Sequence, residues 1–144
     1  MKSENKIRSV RLPDDQLAIL LDALDRQDGR KAAELRRHKR MSFRTAKVVL
    51  HVLDNLDTVE CSFRVAARNI SANGMAFVHG QMLPPGKRAL VEIPRKHNDP
   101  LHVLGQVAHC RHIGGMVHEV GLRFLAHNNS KHIRRALASL QSKR

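Results

Sequence analysis

The sequence predicts a mainly β protein: a six-stranded antiparallel barrel with one helix before it and one after it. Between about residues 46 and 125, apolar and polar residues alternate with period two in short runs that turn-forming residues separate. On both sides of this region, apolar residues recur at the spacing of an amphipathic helix. Six short strands without intervening helices favour an antiparallel sheet, and closure into a barrel hides its edges.

The N-terminal helix is predicted to begin at Pro13, because proline suits a first helical turn and acidic residues follow it. Its apolar stripe recurs at i, i+3, i+4 and i+7, and we expect this stripe to pack on the same domain; it comprises Leu17, Leu20, Leu21 and Leu24. Together with a basic linker, this helix forms a predicted N-terminal extension over residues 1–34. The barrel domain is predicted over residues 35–144.

The strands are predicted at residues 46–53, 59–68, 75–78, 88–93, 101–113 and 116–125. The turn formers Asn69–Gly74 separate the second strand from the third, and a polar loop is expected from Pro94 to Pro100. Gly114 and Gly115 predict a hairpin between the last two strands. A C-terminal helix follows, capped by Asn129 or Ser130, and its apolar face is expected to cover an opening or a flank of the barrel.

Composition restricts the possible functions. The chain has 144 residues, the size of one domain with a substantial core, and it contains four phenylalanines but no Trp or Tyr. This shortage disfavours proteins that stack single-stranded bases on aromatic side chains. Cys61 and Cys110 are too few for a disulfide framework, and no apolar run approaches the roughly 18 residues of a membrane span. We therefore expect a reduced, cytoplasmic protein.

Positive charge is concentrated between Arg30 and Lys47. Eight cations oppose one acid, Glu34, so this segment carries +7 of the formal net charge of +13. Such clustering predicts a negatively charged partner. A solvated basic linker is the alternative explanation.

Two motifs suggest which partner this is. Arg36 and Arg40 form an R-x-x-x-R motif, and Asn69, Ser71 and Gly74 form N-x-S-x-x-G about thirty residues later. This pair resembles the signature of PilZ domains, bacterial receptors for cyclic di-GMP. The segment Val120–Phe124 also resembles the G-[V/L]-R-F ending of that family's last strand, so the similarity covers about Leu35 to Phe124.

The resemblance implies that Arg36 and Arg40 hold phosphate and guanine of cyclic di-GMP, while Asn69 and Ser71 hydrogen-bond to a guanine. The chemistry is suitable, since a guanidinium group is both a bidentate donor and a flat surface for stacking. Gly74 is expected to serve the backbone, through a left-handed conformation or a close approach.

The surrounding cations are expected to supply supporting electrostatics; they are Arg37, Lys39 and Arg44. Arg40 and Arg44 form a second R-x-x-x-R, but the first register is preferred because Arg44 lies too close to the first strand. Many family members carry a further arginine where this chain has Leu35, so one ligand per chain is expected. Asn69 replaces the family's frequent aspartate.

Ten histidines invite a metal hypothesis, most of all around His109 and Cys110. Neighbouring strand residues face opposite ways, which disfavours a shared ion, so no metal and no cofactor are expected. No acid–base pair or nucleophile is predicted on the strands, which makes an enzyme the least expected class.

The predicted function is therefore a non-catalytic cyclic di-GMP receptor that changes conformation and signals to a protein partner. Two alternatives remain open. One is a basic RNA- or DNA-binding module, which the net charge favours and the missing aromatics disfavour. The other is a PilZ-type adaptor that does not bind nucleotide. No association with membranes is expected.

Overall fold

A computed structural model describes residues 7–10, 16–24, 41–95, 98–125 and 130–142. In chain order the elements are β1 (Ile7–Arg8), α1 (residues 16–24), β2 (Met41–Leu53), β3 (Val59–Ser71), β4 (Gly74–His79), β5 (Arg88–Arg95), β6 (Asn98–Gly114), β7 (Val117–Phe124) and α2 (Ser130–Ser142). The predicted mainly β class with an N-terminal and a C-terminal helix is confirmed.

Six strands form a closed antiparallel barrel, as predicted. They are neighbours in the order β3, β2, β5, β6, β7, β4, and pairing of β3 with β4 closes the ring. The sequence did not predict β1, which pairs in parallel with β3 at Phe63 and Arg64, beyond the part of that edge that β4 occupies. Two residues are too short for a periodic pattern to reveal.

Aliphatic side chains and Phe77, which is 1% exposed, fill the barrel. Because side chains alternate along each strand, one set of residues points inward, and every strand from β2 to β7 contributes residues to this set. The inward set includes Val48, Leu50, Val52, Val65, Ala67, Met75, Val91, Val107, Val120 and Leu122. The barrel is therefore packed through its length, and the opposite set of side chains faces outward.

Several predicted strand boundaries were wrong. β2 begins at Met41 rather than after Arg44, β3 runs through Asn69 to Ser71, and the predicted Pro94–Pro100 loop lies largely in β5 and β6. In each case a shift in strand register, as at a β-bulge, interrupts the period-two pattern within the strand. A pattern search ends a strand at such a point, although the backbone pairing continues.

Helix α1 packs its leucine stripe on the outer face of the barrel. Leu17, Leu21 and Leu24 are buried and form one apolar cluster with Ala66 of β3 and Val78 of β4. The expected packing on the same chain is therefore found. The proposed start of this helix at Pro13 lies outside the described residues, and so does Asn129, one of the two predicted caps of α2.

Helix α2 covers a flank of the barrel. Its Ala136 is fully buried in an apolar cluster, and the strands supply Leu53, Val59, Leu90 and Leu104 to that cluster. Leu90 lies between the inward residues Ala89 and Val91, so this cluster lies on the outer face.

A buried carboxylate, that of Asp57, fastens the start of α2 to the barrel. Arg88 donates from Nη2 to Asp57 Oδ1 at 2.5 Å, and His132 Nδ1 lies 2.6 Å from Oδ2. Arg135 Nη1 lies 3.6 Å from the same oxygen. Asp57 thus neutralises part of the positive charge around the N-terminus of α2, where an anion is favourable.

Candidate functional site

A β-bulge in β3 places Asn69 on the outside of the barrel. Ala67 pairs with Phe77, and both side chains belong to the interior. Asn69 lies two residues further along β3 but pairs with Ala76, only one residue from Phe77, so Arg68 is the extra residue. Paired residues share a face of the sheet, and Asn69 therefore lies on the face opposite to Phe77.

The hairpin between β3 and β4 brings Ser71 and Gly74 together on that face. They pair directly, and Ser71 donates from Oγ to the Gly74 carbonyl oxygen over 3.4 Å. A Cβ at Gly74 would lie 2.5 Å from the backbone oxygen of Leu122 on β7, closer than real contacts allow. Gly74 therefore has a close-approach geometry, and its φ lies outside the left-handed region.

The first motif lies outside the described residues, together with its neighbours: Leu35, Arg36, Arg37, Lys39 and Arg40. Their predicted roles stay predictions. Arg44 lies within β2, where only the course of the backbone is described.

The strand register nevertheless brings the residues that directly follow the first motif next to the second motif. Met41 pairs with Ile70, and Ser42 pairs with Asn69. Arg40 directly precedes Met41, and consecutive Cα atoms lie about 3.8 Å apart. The R-x-x-x-R segment therefore joins the barrel beside the strand that carries Asn69 and Ser71.

A buried ion pair supports the bulge, and the sequence analysis did not find it. Arg68 is 2% exposed and donates from Nη1 to Oε2 of Glu119 on β7. Arg111 of β6 donates from Nη2 to Oε1 of the same carboxylate at 2.8 Å. Alternation alone gave no signal for this network, because Arg68 lies 51 residues before Glu119 in the sequence. This network holds the side chain of Arg68, the residue directly before Asn69, in place.

A second polar network corrects the expectation that the strands carry no acid–base pair. His51 Nδ1 and Ser62 Oγ are hydrogen-bonded at 2.6 Å, and His51 Nε2 contacts Glu92. This is the order of groups that activates a serine nucleophile in hydrolases. The imidazole of His51 is fully buried, however, so a substrate has no access to it, and the network instead ties β3, β2 and β5 together.

His109 and Cys110, the pair most strongly considered for metal binding, lie on opposite faces of β6. Cys110 packs against the barrel interior, whereas the His109 ring lies over Gly121 on the outer face. Among the residues that the structure describes, no group of three or more His, Cys, Asp or Glu side chains is arranged to hold a metal ion.

The far end of β4 contains a buried histidine and a cavity. His79 is fully buried; this burial and the neighbouring His118 lower its pKa to about 4. Beside it, an apolar cavity of about 950 Å³ lies between α1 and the β6–β7 hairpin, lined by residues that include Phe63 and Val117. No residue of the N-x-S-x-x-G motif is among those that line it.

Comparison with known proteins assigns the family. The sequence matches the PilZ domain family over residues 34–140, and the chain therefore belongs to that family. No curated protein matches it. No helix in the described part of the chain is long and apolar enough to cross a membrane.

Solved structures also resemble the chain, among them one from Escherichia coli and one from Bacillus subtilis. The PilZ domain of YcgR from Escherichia coli, solved with c-di-GMP, is 18% identical; the match covers 69% of this chain and 85% of that one, with a TM-score of 0.47. The Bacillus subtilis inhibitor of motility, MotI/DgrA, is 14% identical over 75% of this chain, with a TM-score of 0.48. This chain spans about half of that protein, 51%.

Proposed function

We propose that this protein is a non-catalytic receptor for cyclic di-GMP. The observation that carries the proposal is the register of β2, β3 and β4. It places Asn69 and Ser71 on one outer face, beside the point where the R-x-x-x-R segment enters the barrel. Arg36 and Arg40 then bind phosphate and guanine, while Asn69 and Ser71 hydrogen-bond to a guanine. The ordered ligand–protein surface is what a downstream protein recognises.

Family membership and charge support this reading. The PilZ family matches from residue 34, so the match includes both motifs. The segment Arg30–Lys47 carries a charge of +7, which attracts the two phosphodiester groups of the ligand. A ligand shifts the protein towards the signalling state only as far as it binds that state more tightly.

Isothermal titration calorimetry with cyclic di-GMP tests the proposal. We expect binding of one ligand per chain, since Leu35 stands where a ligand dimer would need a further arginine. In the Arg36→Ala/Arg40→Ala variant, affinity should fall at least about 100-fold, because each charge-assisted hydrogen bond is worth about 1.5–3 kcal/mol.

The matched control is Lys131→Ala/Arg134→Ala, which removes the same charge from exposed positions of α2. It should retain affinity within about threefold, the scale of a screened long-range effect. Absence of heat with the wild-type protein would refute the proposal. Tight, steeply salt-dependent binding of polynucleotide instead would identify a nucleic-acid module, and binding of only a protein partner would identify an adaptor.

A further inference from the structure

We propose that Arg123 of β7 is a third arginine of the cyclic di-GMP site and binds a ligand phosphate. The inference rests on the proposed function. Arg123 pairs with Gly74, which pairs on its other side with Ser71, so the three residues form one row across β7, β4 and β3. Adjacent strands lie about 4.8 Å apart, and the row therefore spans about 10 Å.

The row lies on the outer face, and its centre carries no side chain. Leu122 and Phe77 belong to the interior, so the residues that alternate with them point outward. Gly74 contributes no side chain to the surface between Ser71 and Arg123. A flat ligand can therefore contact both residues.

Arg123 differs from Arg68, Arg88 and Arg111 in its charge balance. Arg68 and Arg111 share the carboxylate of Glu119, and Arg88 pairs with Asp57. Arg123 instead donates from Nη2 to the side-chain oxygen of Gln106 at 2.7 Å. Within the described part of the chain, no carboxylate forms an ion pair with it. A neutral amide does not compensate the positive charge of the guanidinium group.

The same amide also fixes where the guanidinium group points. Gln106 donates from Nε2 to the carbonyl oxygen of Gly86 at 3.2 Å, so its orientation is set by the β4–β5 connection. An exposed arginine held in this way loses less conformational entropy when it binds an anion. Its remaining N–H groups still offer a bidentate fork to a phosphate.

Calorimetry on four proteins tests the assignment: the wild type, Arg123→Gln, Arg123→Lys and the control Arg95→Gln. Arg95 is exposed too, and its Nε donates to the Asp99 backbone oxygen at 2.7 Å. Arg88 pairs with Gln106, the partner of Arg123, and Arg95 lies seven residues further along β5. Seven residues of a strand span about 23 Å.

We expect Arg123→Gln to weaken cyclic di-GMP binding about 10- to 100-fold, as the loss of a charge-assisted contact predicts. Arg123→Lys should weaken binding by a smaller factor, because lysine keeps the positive charge but lacks the bidentate guanidinium fork. Arg95→Gln should stay within about twofold. Thermal melts establish that each variant is folded.

The outcomes separate this inference from the proposed function. Suppose that the wild type binds and Arg36→Ala/Arg40→Ala abolishes binding, but Arg123→Gln binds like the wild type. The third arginine is then refuted and the receptor stands. An equal loss in Arg123→Gln and Arg95→Gln would also refute it, since only net charge would then matter. A wild-type protein that does not bind refutes both.

Discussion

The two ends of β4 use polar side chains in opposite ways. At the Gly74 end, Ser71 is half-buried and Arg123 is exposed, and both lie on the outer face on either side of Gly74. At the other end, His79 is fully buried, and its Nδ1 bonds to Ser9 Oγ at 2.5 Å. Polar side chains therefore lie on the outer face beside the start of this strand, whereas a polar side chain is buried at its end.

The difference follows from what covers each end. The N-terminal segment lies on the His79 end, where Ser9 Oγ also accepts from the Gly80 N–H at 2.7 Å. The Nε2 atom of His79 is buried with no partner among the described residues, which is energetically costly. This end therefore contains a neutral imidazole, whereas the Gly74 end contains the exposed, charged guanidinium group of Arg123.

The largest expected effect comes from the network that supports the Gly74 end. Glu119→Gln should lower the free energy of unfolding by about 3–5 kcal/mol, because it removes the charge of a carboxylate that pairs with the buried guanidinium group of Arg68. Urea denaturation measures this. The matched control is Glu60→Gln, which breaks an exposed ion pair with Lys87 at 2.7 Å and should cost about 0–1 kcal/mol. Equal losses in the two variants would mean that Arg68 does not need this carboxylate.

The same network shows where prediction from sequence ends. Alternation and turn formers were sufficient for the six strands and both helices, because each of those signals is local. The bulge at Arg68 breaks the alternation, and only the pairing of β3 with β4 reveals it: Ala67 pairs with Phe77 and Asn69 with Ala76. The motif identified Asn69, but alternation through Ala67 without a bulge would have placed its side chain inside the barrel.

Arg123 illustrates a second limit. The sequence placed it in a strand that resembles the family pattern, but its charge balance depends on Gln106, a partner 17 residues away. Similarly, nothing in the run around Asp57 indicates that its carboxylate fastens α2, because His132 lies 75 residues further along the chain. Roles that depend on partners distant in sequence require the register of the closed barrel.

The His79 end should make the protein acid-sensitive. The pKa of His79 is lowered from 6.5 to about 4, so between these values the unfolded chain binds a proton that the folded chain does not. Stability is therefore greatest above about pH 6.5 and falls as the pH drops towards 4, by up to about 3 kcal/mol. Urea denaturation at pH 7.5, 6, 5 and 4.5 measures the slope.

A variant isolates this contribution from that of the carboxylates. His79→Phe keeps an aromatic ring in the contact with Phe63 but cannot titrate, and it loses the bond to Ser9 at every pH. Its stability should therefore depend less on pH than that of the wild type between pH 7.5 and 4.5. Identical pH slopes in both proteins would show that His79 is not the group responsible.

The smallest of these effects tests the close approach at the Gly74 end. Gly74→Ala places a Cβ 2.5 Å from the Leu122 backbone oxygen, and since a backbone cannot rotate away as a side chain does, β4 and β7 must separate. We expect a loss of about 1–3 kcal/mol of stability, which urea denaturation measures.

Gly114→Ala is the matched control, because a Cβ there meets nothing within 4 Å, and it should change stability by less than about 0.5 kcal/mol. If the row across β7, β4 and β3 forms the ligand surface, Gly74→Ala should also weaken cyclic di-GMP binding while Gly114→Ala leaves it unchanged. A Gly74→Ala protein as stable as the wild type would mean that the strands are not held as closely as described, and the contrast between the two ends of β4 would then lose its structural basis.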